Sequence, residues 1–161
     1  MVMNSTAKQP QARLPRLGID IGRVIIDGTA GGDTAFFQGS EAVMLATPEM
    51  PGSIAAIARL TTAFEGRVWL VSKCGPRVQQ RSLRWLAGHD FTERTGIPMD
   101  HVRFCRARAD KRGHCLELDL THFVDDRPDV HTAIRGTVDH QYLFGHQARR
   151  APAFTSAARS W

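Results

Sequence analysis

Apolar runs of strand length alternate along the chain with segments of helical periodicity. The apolar runs predict β-strands at residues 17–26, 67–71, 101–105, 121–125 and 140–144. Apolar residues three and four positions apart predict helices at residues 52–64, 76–87, 110–118 and 128–135. The segment 28–51 reads as a loop. Because strands that alternate with helices form parallel sheets covered on both faces, we expect a three-layer, Rossmann-like α/β fold with about five strands.

The length and composition fit one folded domain. The chain has 161 residues, of which 42% are apolar and 23% charged; this excludes collagen-like, disulfide-scaffold and wholly disordered chains. No apolar run approaches the roughly 18–20 residues of a membrane span, and residues 1–16 lack the apolar core of a secretory signal. Three cysteines without a C-x-x-C pair argue against a disulfide framework and a structural zinc site. We therefore expect a cytoplasmic protein.

The formal net charge of +5 is concentrated at the two ends of the chain. Residues 1–16 and 145–161 each carry three basic residues and no acid, whereas residues 17–144 carry 15 basic and 16 acidic residues. This predicts a flexible basic N-terminal tail at 1–16, a folded domain at 17–144 and a basic C-terminal tail at 145–161. Such tails are expected to be solvated and to make weak contacts with anionic partners. The charge of the whole chain is therefore weak evidence for nucleic-acid binding by the domain.

Polar side chains mark the ends of several predicted strands. Asp20 interrupts the first strand, and Ser72 and Lys73 follow the second. Lys111 opens the helix before the fourth strand, which ends in the acidic pair at 125–126. Because ligands of parallel sheets bind beyond the carboxyl ends of the strands, we expect these side chains to converge at one edge of the sheet.

These residue types suit phosphoryl chemistry when they lie together. Three neighbouring carboxylates repel one another unless a cation lies among them, and hard oxygen ligands suit Mg²⁺. A hydroxyl and two ammonium groups beside that ion can bind a phosphoryl group. A carboxylate in line with the phosphorus can attack it and form an acyl phosphate. The lysines stand out because the chain has 18 arginines and only 3 lysines, and a retained lysine suits a site that needs a compact ammonium group.

Four segments, taken in order, resemble the motifs of the haloacid dehalogenase-like superfamily. The first is GIDIGRVI, in which Asp20 follows an apolar strand, and the second is VWLVSKCG, in which Ser72 ends one. The third is RADKRG with Lys111, and the fourth is HFVDDRPDV with Asp125 and Asp126. The resemblance covers nearly the whole predicted domain and implies the α/β fold expected above.

The resemblance also implies a role for each acidic residue. Asp20 would be the nucleophile and a metal ligand, and the backbone carbonyl of Gly22 would be a second ligand. Asp126 would bind the metal directly, and Asp125 would do so directly or through water. The implied cofactor is Mg²⁺.

The polar and basic residues would then bind the substrate. Ser72 and Lys111 would bind the phosphoryl oxygens, and Lys111 would also take part in catalysis. Lys73 has no fixed role in the family, and it is expected either to contact substrate or to lie in solvent.

The sequence departs from the family pattern at Gly22. Phosphatases of the superfamily usually have a second aspartate at this position, which protonates the leaving group and later activates water. Loss of such a general acid/base typically costs about 10²- to 10⁴-fold in rate. Some branches of the superfamily read D-x-G-x-V-I, as this chain does, and some of those are similar to sugar phosphatases.

A second departure is the absence of room for a cap domain, which many members insert over the site. The segment 28–51 and the segment between the second and third motifs are both too short for a folded domain. The site is therefore expected to be open, with at most a flap that carries Phe36 and Phe37. An open site suits a large substrate, such as a protein or nucleic-acid end, or a site completed by another subunit in an oligomer.

Two hypotheses of function follow. The first is a Mg²⁺-dependent phosphomonoester hydrolase that acts through an aspartyl-phosphate on Asp20, with an open site suited to a large or nucleotide-like phosphorylated substrate. The second is a catalytically weakened or inactive module of the same fold that binds phosphate or a partner, because Gly22 replaces the general acid/base. An actin-like or sugar-kinase ATPase would need a much longer chain.

Several of the same residues also have purely structural interpretations. Ser72 could cap the helix that begins at Pro76, and Asp125 or Asp126 could cap the helix that begins at Pro128. Cys74 lies near Ser72, but a lone cysteine is usually a small buried apolar residue.

Overall fold

The computed structural model describes residues 12–28, residue 36 and residues 38–161. Its six strands are β1 (Leu17–Ile19), β2 (Val68–Lys73), β3 (Val102–Cys105), β4 (His122–Asp125), β5 (His140–Phe144) and β6 (Ser156–Ala158). The helices are α1 (Glu41–Leu45), α2 (Ser53–Ala63), α3 (Pro76–Gly88), α4 (Phe91–Thr95), α5 (Lys111–Glu117) and α6 (Pro128–Ile134). Short 3₁₀ turns at Met99–His101 and Arg108–Asp110 precede β3 and α5.

The strands form one parallel sheet in the order β3-β2-β1-β4-β5-β6. On one face of the sheet, the buried strand residues Val68 and Leu70 belong to a core that also contains residues of α2 and α3. These helix residues include Ile54, Ile57, Trp85 and Leu86. On the other face, the buried strand residues Trp69, Val71 and Phe123 belong to a second core that also contains residues of α5 and α6. These helix residues include Cys115, Val130 and Ile134. Alternate residues of β2 therefore enter opposite layers, as the two-residue period of a strand requires. The expected three-layer α/β fold is confirmed.

The first predicted strand is shorter in the structure than its apolar run. β1 ends at Ile19, and the residues after Asp20 form a tight turn in which the amides of Ile25 and Ile26 donate to the carbonyl of Ile21. Arg23 lies in this turn with φ of 62°. The prediction of a strand over 17–26 is wrong beyond Ile19 because the apolar side chains after it are buried without pairing as a strand.

Other boundaries differ in smaller ways. Ser72 and Lys73 are the last two residues of β2 and do not follow it, since both pair with β3. The predicted loop at 28–51 contains the short helix α1, and α4 was not predicted. Both helices have only five residues, too few for helical periodicity to show in the sequence.

The C-terminal segment contributes a strand to the sheet. β6 pairs with β5, and the indole Nε1 of Trp161 donates to the carbonyl of Val24 at 2.6 Å. The ring of Trp161 also packs 5.3 Å from that of Phe144. The prediction of a solvated tail at 145–161 is therefore wrong for this segment. The strand was missed because a short edge strand of small residues leaves no apolar pattern in the sequence.

The N-terminal segment is described from residue 12 onward. Arg13 forms ion pairs with Asp119 at 2.6 Å and with Asp139 at 3.3 Å. Residues 1–11 of the predicted N-terminal tail, including Lys8, lie outside the described residues.

The insertions between strands are small. The described residues between β1 and β2 include α1 and α2, and those between β2 and β3 include α3 and α4, without a second folded domain in either place. The expected absence of a large cap thus holds for the part of the chain that the structure describes. Within that part, no helix combines the length and the apolar character needed to cross a bilayer.

Gly18, in the middle of β1, is a site where a larger residue should destabilise the fold. A Cβ atom there would lie 2.6 Å from Phe123 and 2.7 Å from Leu120. We expect Gly18→Ala to lower the free energy of unfolding by about 1–3 kcal/mol, as overpacking of a core does. Gly113→Ala is the control: Gly113 lies in α5, where a Cβ atom would have no atom within 4 Å, and alanine should stabilise that helix by about 0.5–1 kcal/mol. Urea unfolding of both variants tests this, and equal stability of Gly18→Ala and wild type would contradict it.

Candidate metal and phosphate site

The strand ends bring the predicted site residues together at one edge of the sheet. Asp20 directly follows β1, and its amide donates to the carbonyl of Val124 in β4 at 2.9 Å. Ser72 and Lys73 end β2, on the other side of β1. This is the carboxyl edge, where ligands of parallel sheets bind.

Lys111 lies beneath this edge, buried between two of the carboxylates. Its Nζ donates to Asp20 Oδ1 at 2.7 Å and to Asp125 Oδ2 at 2.6 Å, and its side chain is only 2% exposed. Lysine is rarely buried unless it is paired, and here it is paired twice. The first residue of α5 therefore links the end of β1 to the end of β4.

The charges at this edge shift one another's pKa. Burial by itself lowers the pKa of the Lys111 ammonium, but the carboxylates of Asp20 and Asp125 outweigh it and raise that pKa above its usual value. Burial raises the pKa of Asp125 to about 7, and the charge of Asp20 adds to the rise while Lys111 opposes it. Burial and Asp20 also raise the pKa of Asp126. The carboxylates are therefore crowded, and Lys111 balances them only in part.

The two members of the acidic pair have different surroundings. Asp125 is fully buried, and its Oδ1 accepts the amide N–H of Arg127 at 2.9 Å. Asp126 is partly exposed, and its Oδ2 lies 3.2 Å from Nε of Arg23. Asp125 is thus held in place by the protein, whereas Asp126 faces the cleft.

A divalent cation fits the donor set at this edge. Asp20, Asp125 and Asp126 each offer a carboxylate oxygen, and these oxygens lie within 4.8 Å of one another. All the donors are hard oxygen atoms, which suit Mg²⁺. Gly22 also lines the adjoining cleft.

A cleft of about 290 Å³ opens above these groups, and we call it the primary cleft. The predicted site residues that line it are Asp20, Gly22, Ser72, Lys73, Lys111 and Asp126. Lys73 is exposed there, whereas Ser72 and Lys111 are buried. The structure thus brings together every predicted site residue, with Asp125 held below the cleft.

Three arginines of the primary cleft were missed by the sequence analysis: Arg23, Arg108 and Arg127. Arg23 lies three positions after Asp20, and Arg127 directly follows Asp126. This closeness to predicted site residues was the one sequence signal that could have indicated them. The chain has so many arginines that their identity alone carried no information. With them, the cleft presents several cations to a bound anion.

Gly22 leaves open space at the place where the family pattern has an aspartate. A Cβ atom there would have no atom within 4 Å, and the residue lines the primary cleft. Packing at position 22 therefore leaves room for a side chain.

Neither Ser72 nor a member of the acidic pair is the N-cap residue of the helix that follows it. The N-cap of α6 is Arg127 and that of α3 is Gly75, and neither helix has a side-chain cap. Ser72 is therefore not the cap of α3, whereas Asp125 contacts the start of α6 through the amide of Arg127.

Cys74 lines the primary cleft but is a poor candidate nucleophile. Burial raises the pKa of its thiol to about 11, so the thiol stays protonated at neutral pH, and only the thiolate is reactive. Phe36 is buried and lines the same cleft, while Phe37, the other residue of the predicted flap, lies outside the described residues.

Comparison with known proteins finds similarity only at the level of structure. No family model matches the chain, and no curated protein matches its sequence. D,D-heptose 1.7-bisphosphate phosphatase from B. bronchiseptica, complexed with magnesium and phosphate, is similar with a TM-score of 0.62 and 18% identity, over 90% of this chain and 93% of that one. Class C acid phosphatase from Bacillus anthracis, with tungstate bound, gives a TM-score of 0.50 and 15% identity over 78% and 56% of the two chains. These similarities show that the chain shares the α/β fold of these two phosphatases.

Proposed function

We propose that the protein is a Mg²⁺-dependent phosphomonoester hydrolase that acts through an aspartyl-phosphate on Asp20. The observation that carries this proposal is the position of Asp20, at the floor of a cationic cleft and 2.7 Å from the buried ammonium of Lys111. An acidic cluster adjoins it, with carboxylate oxygens within 4.8 Å. The two structural neighbours are both phosphatases, and one was solved with magnesium and phosphate.

The residues of the chain divide the proposed reaction between them. In the first step a carboxylate oxygen of Asp20 attacks the phosphorus, a new P–O bond forms, and the bond to the leaving-group oxygen breaks with its electron pair. In the second step water attacks the phosphorus, the bond to Asp20 breaks, and inorganic phosphate leaves. Asp20 regains its carboxylate and is ready for another cycle.

The surrounding groups hold the substrate and offset its charge. Lys111 remains an ammonium group, orients Asp20 and attracts the phosphoryl oxygens. The Ser72 hydroxyl and Lys73 lie at the same cleft and donate to those oxygens. Asp20, Asp126 and the carbonyl of Gly22, with Asp125 in support, would hold Mg²⁺, which would supply further positive charge to offset that of the phosphoryl group.

The leaving group receives no proton from position 22 in this chain. Its proton has to come from water, so leaving groups that depart readily as anions should react faster than simple alkoxides. The openness of the site bears on the size of the substrate: no cap covers the cleft within the described residues. This supports a large or nucleotide-like phosphorylated substrate.

Release of inorganic phosphate from a panel of phosphomonoesters tests the proposal. The panel should contain sugar phosphates, nucleotides, phosphopeptides and oligonucleotides with a 3′- or 5′-phosphate, each with Mg²⁺ and with chelator. We expect Mg²⁺-dependent release by wild type and none by Asp20→Asn. Asp100→Asn is the matched control, because Asp100 is exposed and lies in the turn before β3, away from the cleft.

The alternative, a binding module without turnover, is favoured by one observation, the absence of a side chain at Gly22. It predicts that wild type and Asp20→Asn release equal amounts of phosphate from every substrate while Mg²⁺ still binds. That result would overturn the hydrolase proposal.

A further inference from the structure

A second cleft lies beside the primary cleft, at the carboxyl ends of β4 and β5. Its volume is about 570 Å³, and Arg23, Asp126 and Arg127 line both clefts. The two clefts therefore adjoin one another at these three residues. We call the second part the C-terminal cleft, because Phe144, His146, Arg159 and Trp161 form much of its wall. Clefts of this size hold groups as large as a sugar or a nucleoside.

The wall of the C-terminal cleft is fixed to the site. Gln147 Nε2 donates to the carbonyl of Asp126 at 3.1 Å and to that of Phe144 at 2.9 Å. Trp161 donates to the carbonyl of Val24, in the turn that follows Asp20. The segment after β5 thus holds a set position relative to the acidic pair and to that turn.

Basic side chains line the C-terminal cleft, and Arg159 among them has no partner in the part of the chain that the structure describes. Arg159 and His146 are exposed, and neither side chain makes a hydrogen bond or an ion pair with any residue that the structure describes. Arg127 has only a long ion pair to Asp129, at 3.8 Å, among the described residues. Of the described residues that line the cleft, the one acidic member is Asp126, which already lies against Arg23 and belongs to the acidic cluster.

Apolar side chains line the same cleft as these arginines. Met50, Phe144 and Trp161 line the C-terminal cleft, where they can contact the carbon skeleton of a ligand. A molecule that extends from Asp20 into this cleft would therefore contact both apolar groups and guanidinium groups. Guanidinium groups bind carboxylates and phosphates through paired hydrogen bonds.

We propose, on the basis of the proposed function, that the substrate is a phosphomonoester whose leaving group carries a second anionic group. Arg159 and Arg127 bind this second group, a phosphate or a carboxylate, in the C-terminal cleft. The carbon skeleton between the two charges lies against the apolar wall. Arg159 is therefore a specificity-determining residue that the motifs of the site do not contain.

A matched series of alkyl phosphates tests this proposal. Each compound has a phosphomonoester at one end of a straight carbon chain and a phosphate, a carboxylate or a hydroxyl at the other, with the chain length varied. With Mg²⁺, we expect kcat/KM at the best chain length to be about 10- to 100-fold higher for an anionic end than for a hydroxyl end, the value of a charged hydrogen bond. The order of the phosphate and carboxylate compounds identifies which anion the cleft takes.

Arg159→Gln should bring this ratio close to one, because it removes a guanidinium group that binds the anionic end. Arg149→Gln is the control, because Arg149 is an exposed arginine of the same segment that lines neither cleft. A ratio of one in wild type at every chain length, or a ratio that persists in Arg159→Gln, would overturn the proposal.

The same compounds separate this proposal from the proposed function. If the compounds with all three end groups are hydrolysed at equal rates, the proposal of a hydrolase stands and the proposal of a second-anion site is overturned. If none is hydrolysed, calorimetric binding of the three compounds in the presence of Mg²⁺ decides the question without turnover. Equal affinities would then overturn the second-anion site, and tighter binding of the anionic compounds that is lost in Arg159→Gln would support it.

Discussion

Replacing Gly22 with aspartate is expected to raise turnover of an alkyl phosphate by about 10²- to 10⁴-fold, the usual contribution of a general acid/base. The position lines the primary cleft, and a new Cβ there has no atom within 4 Å. Its φ is not among the positive values of the chain, so a side chain causes no backbone strain. The gain arises because a carboxylic acid at this position can protonate the departing alkoxide and later activate water.

Two comparisons isolate the proton transfer. Gly22→Asn has nearly the same shape but cannot donate the proton, so it should remain close to wild type. An aryl phosphate with a stable phenolate leaving group needs little protonation, so Gly22→Asp should accelerate it far less than the alkyl phosphate. Steady-state kcat for both substrates provides the test, and equal rates for Gly22→Asp and Gly22→Asn would contradict the account.

Replacing Lys111 with methionine is expected to lower the free energy of unfolding by about 3–5 kcal/mol, the cost of removing one partner from a buried ion pair. The ammonium group is 2% exposed and binds both Asp20 and Asp125 at 2.6–2.7 Å. Methionine fills similar space but leaves the two carboxylates without their cation. Their mutual repulsion and lost solvation then oppose folding.

The chain offers a close control in Lys73, which lines the same cleft but is exposed. Lys73→Met should change stability by less than about 0.5 kcal/mol, as exposed substitutions usually do. Added Mg²⁺ should recover part of the loss in Lys111→Met, since a cation at the acidic cluster replaces the missing charge. Urea unfolding with and without Mg²⁺ measures all three effects; equal stability of the two lysine variants would show that Lys111 does not neutralise the carboxylates.

Much of the fold and the site could be predicted because the informative signals are local. Three of the four motifs pair an apolar strand with a polar residue at its end, as in Asp20 and Asp125, and the parallel topology then brings these ends together. The position of Lys111 at the start of α5 was predicted on the same basis. Its double ion pair was not, because the contact joins residues 91 positions apart.

The features that could not be predicted depend on tertiary contacts. The apolar residues after Asp20 read as a continuation of the strand, yet they fold into a turn buried in the core. β6 and Trp161 lie in a segment whose charge suggested a solvated tail, and only their pairing with β5 and the turn fixes them. The cleft that they line, with Arg159, was therefore invisible in the sequence.

The central claim, that Asp20 carries the phosphoryl group, is tested most directly by trapping the intermediate. Wild-type protein turning over a substrate with Mg²⁺ is quenched in acid, digested and examined by mass spectrometry for a phosphoryl group on the peptide that contains Asp20. We expect one hydroxylamine-sensitive phosphoryl group on that peptide, and none in Asp20→Asn. Turnover by wild type with no phosphoryl group on Asp20, or undiminished turnover by Asp20→Asn, would contradict the account.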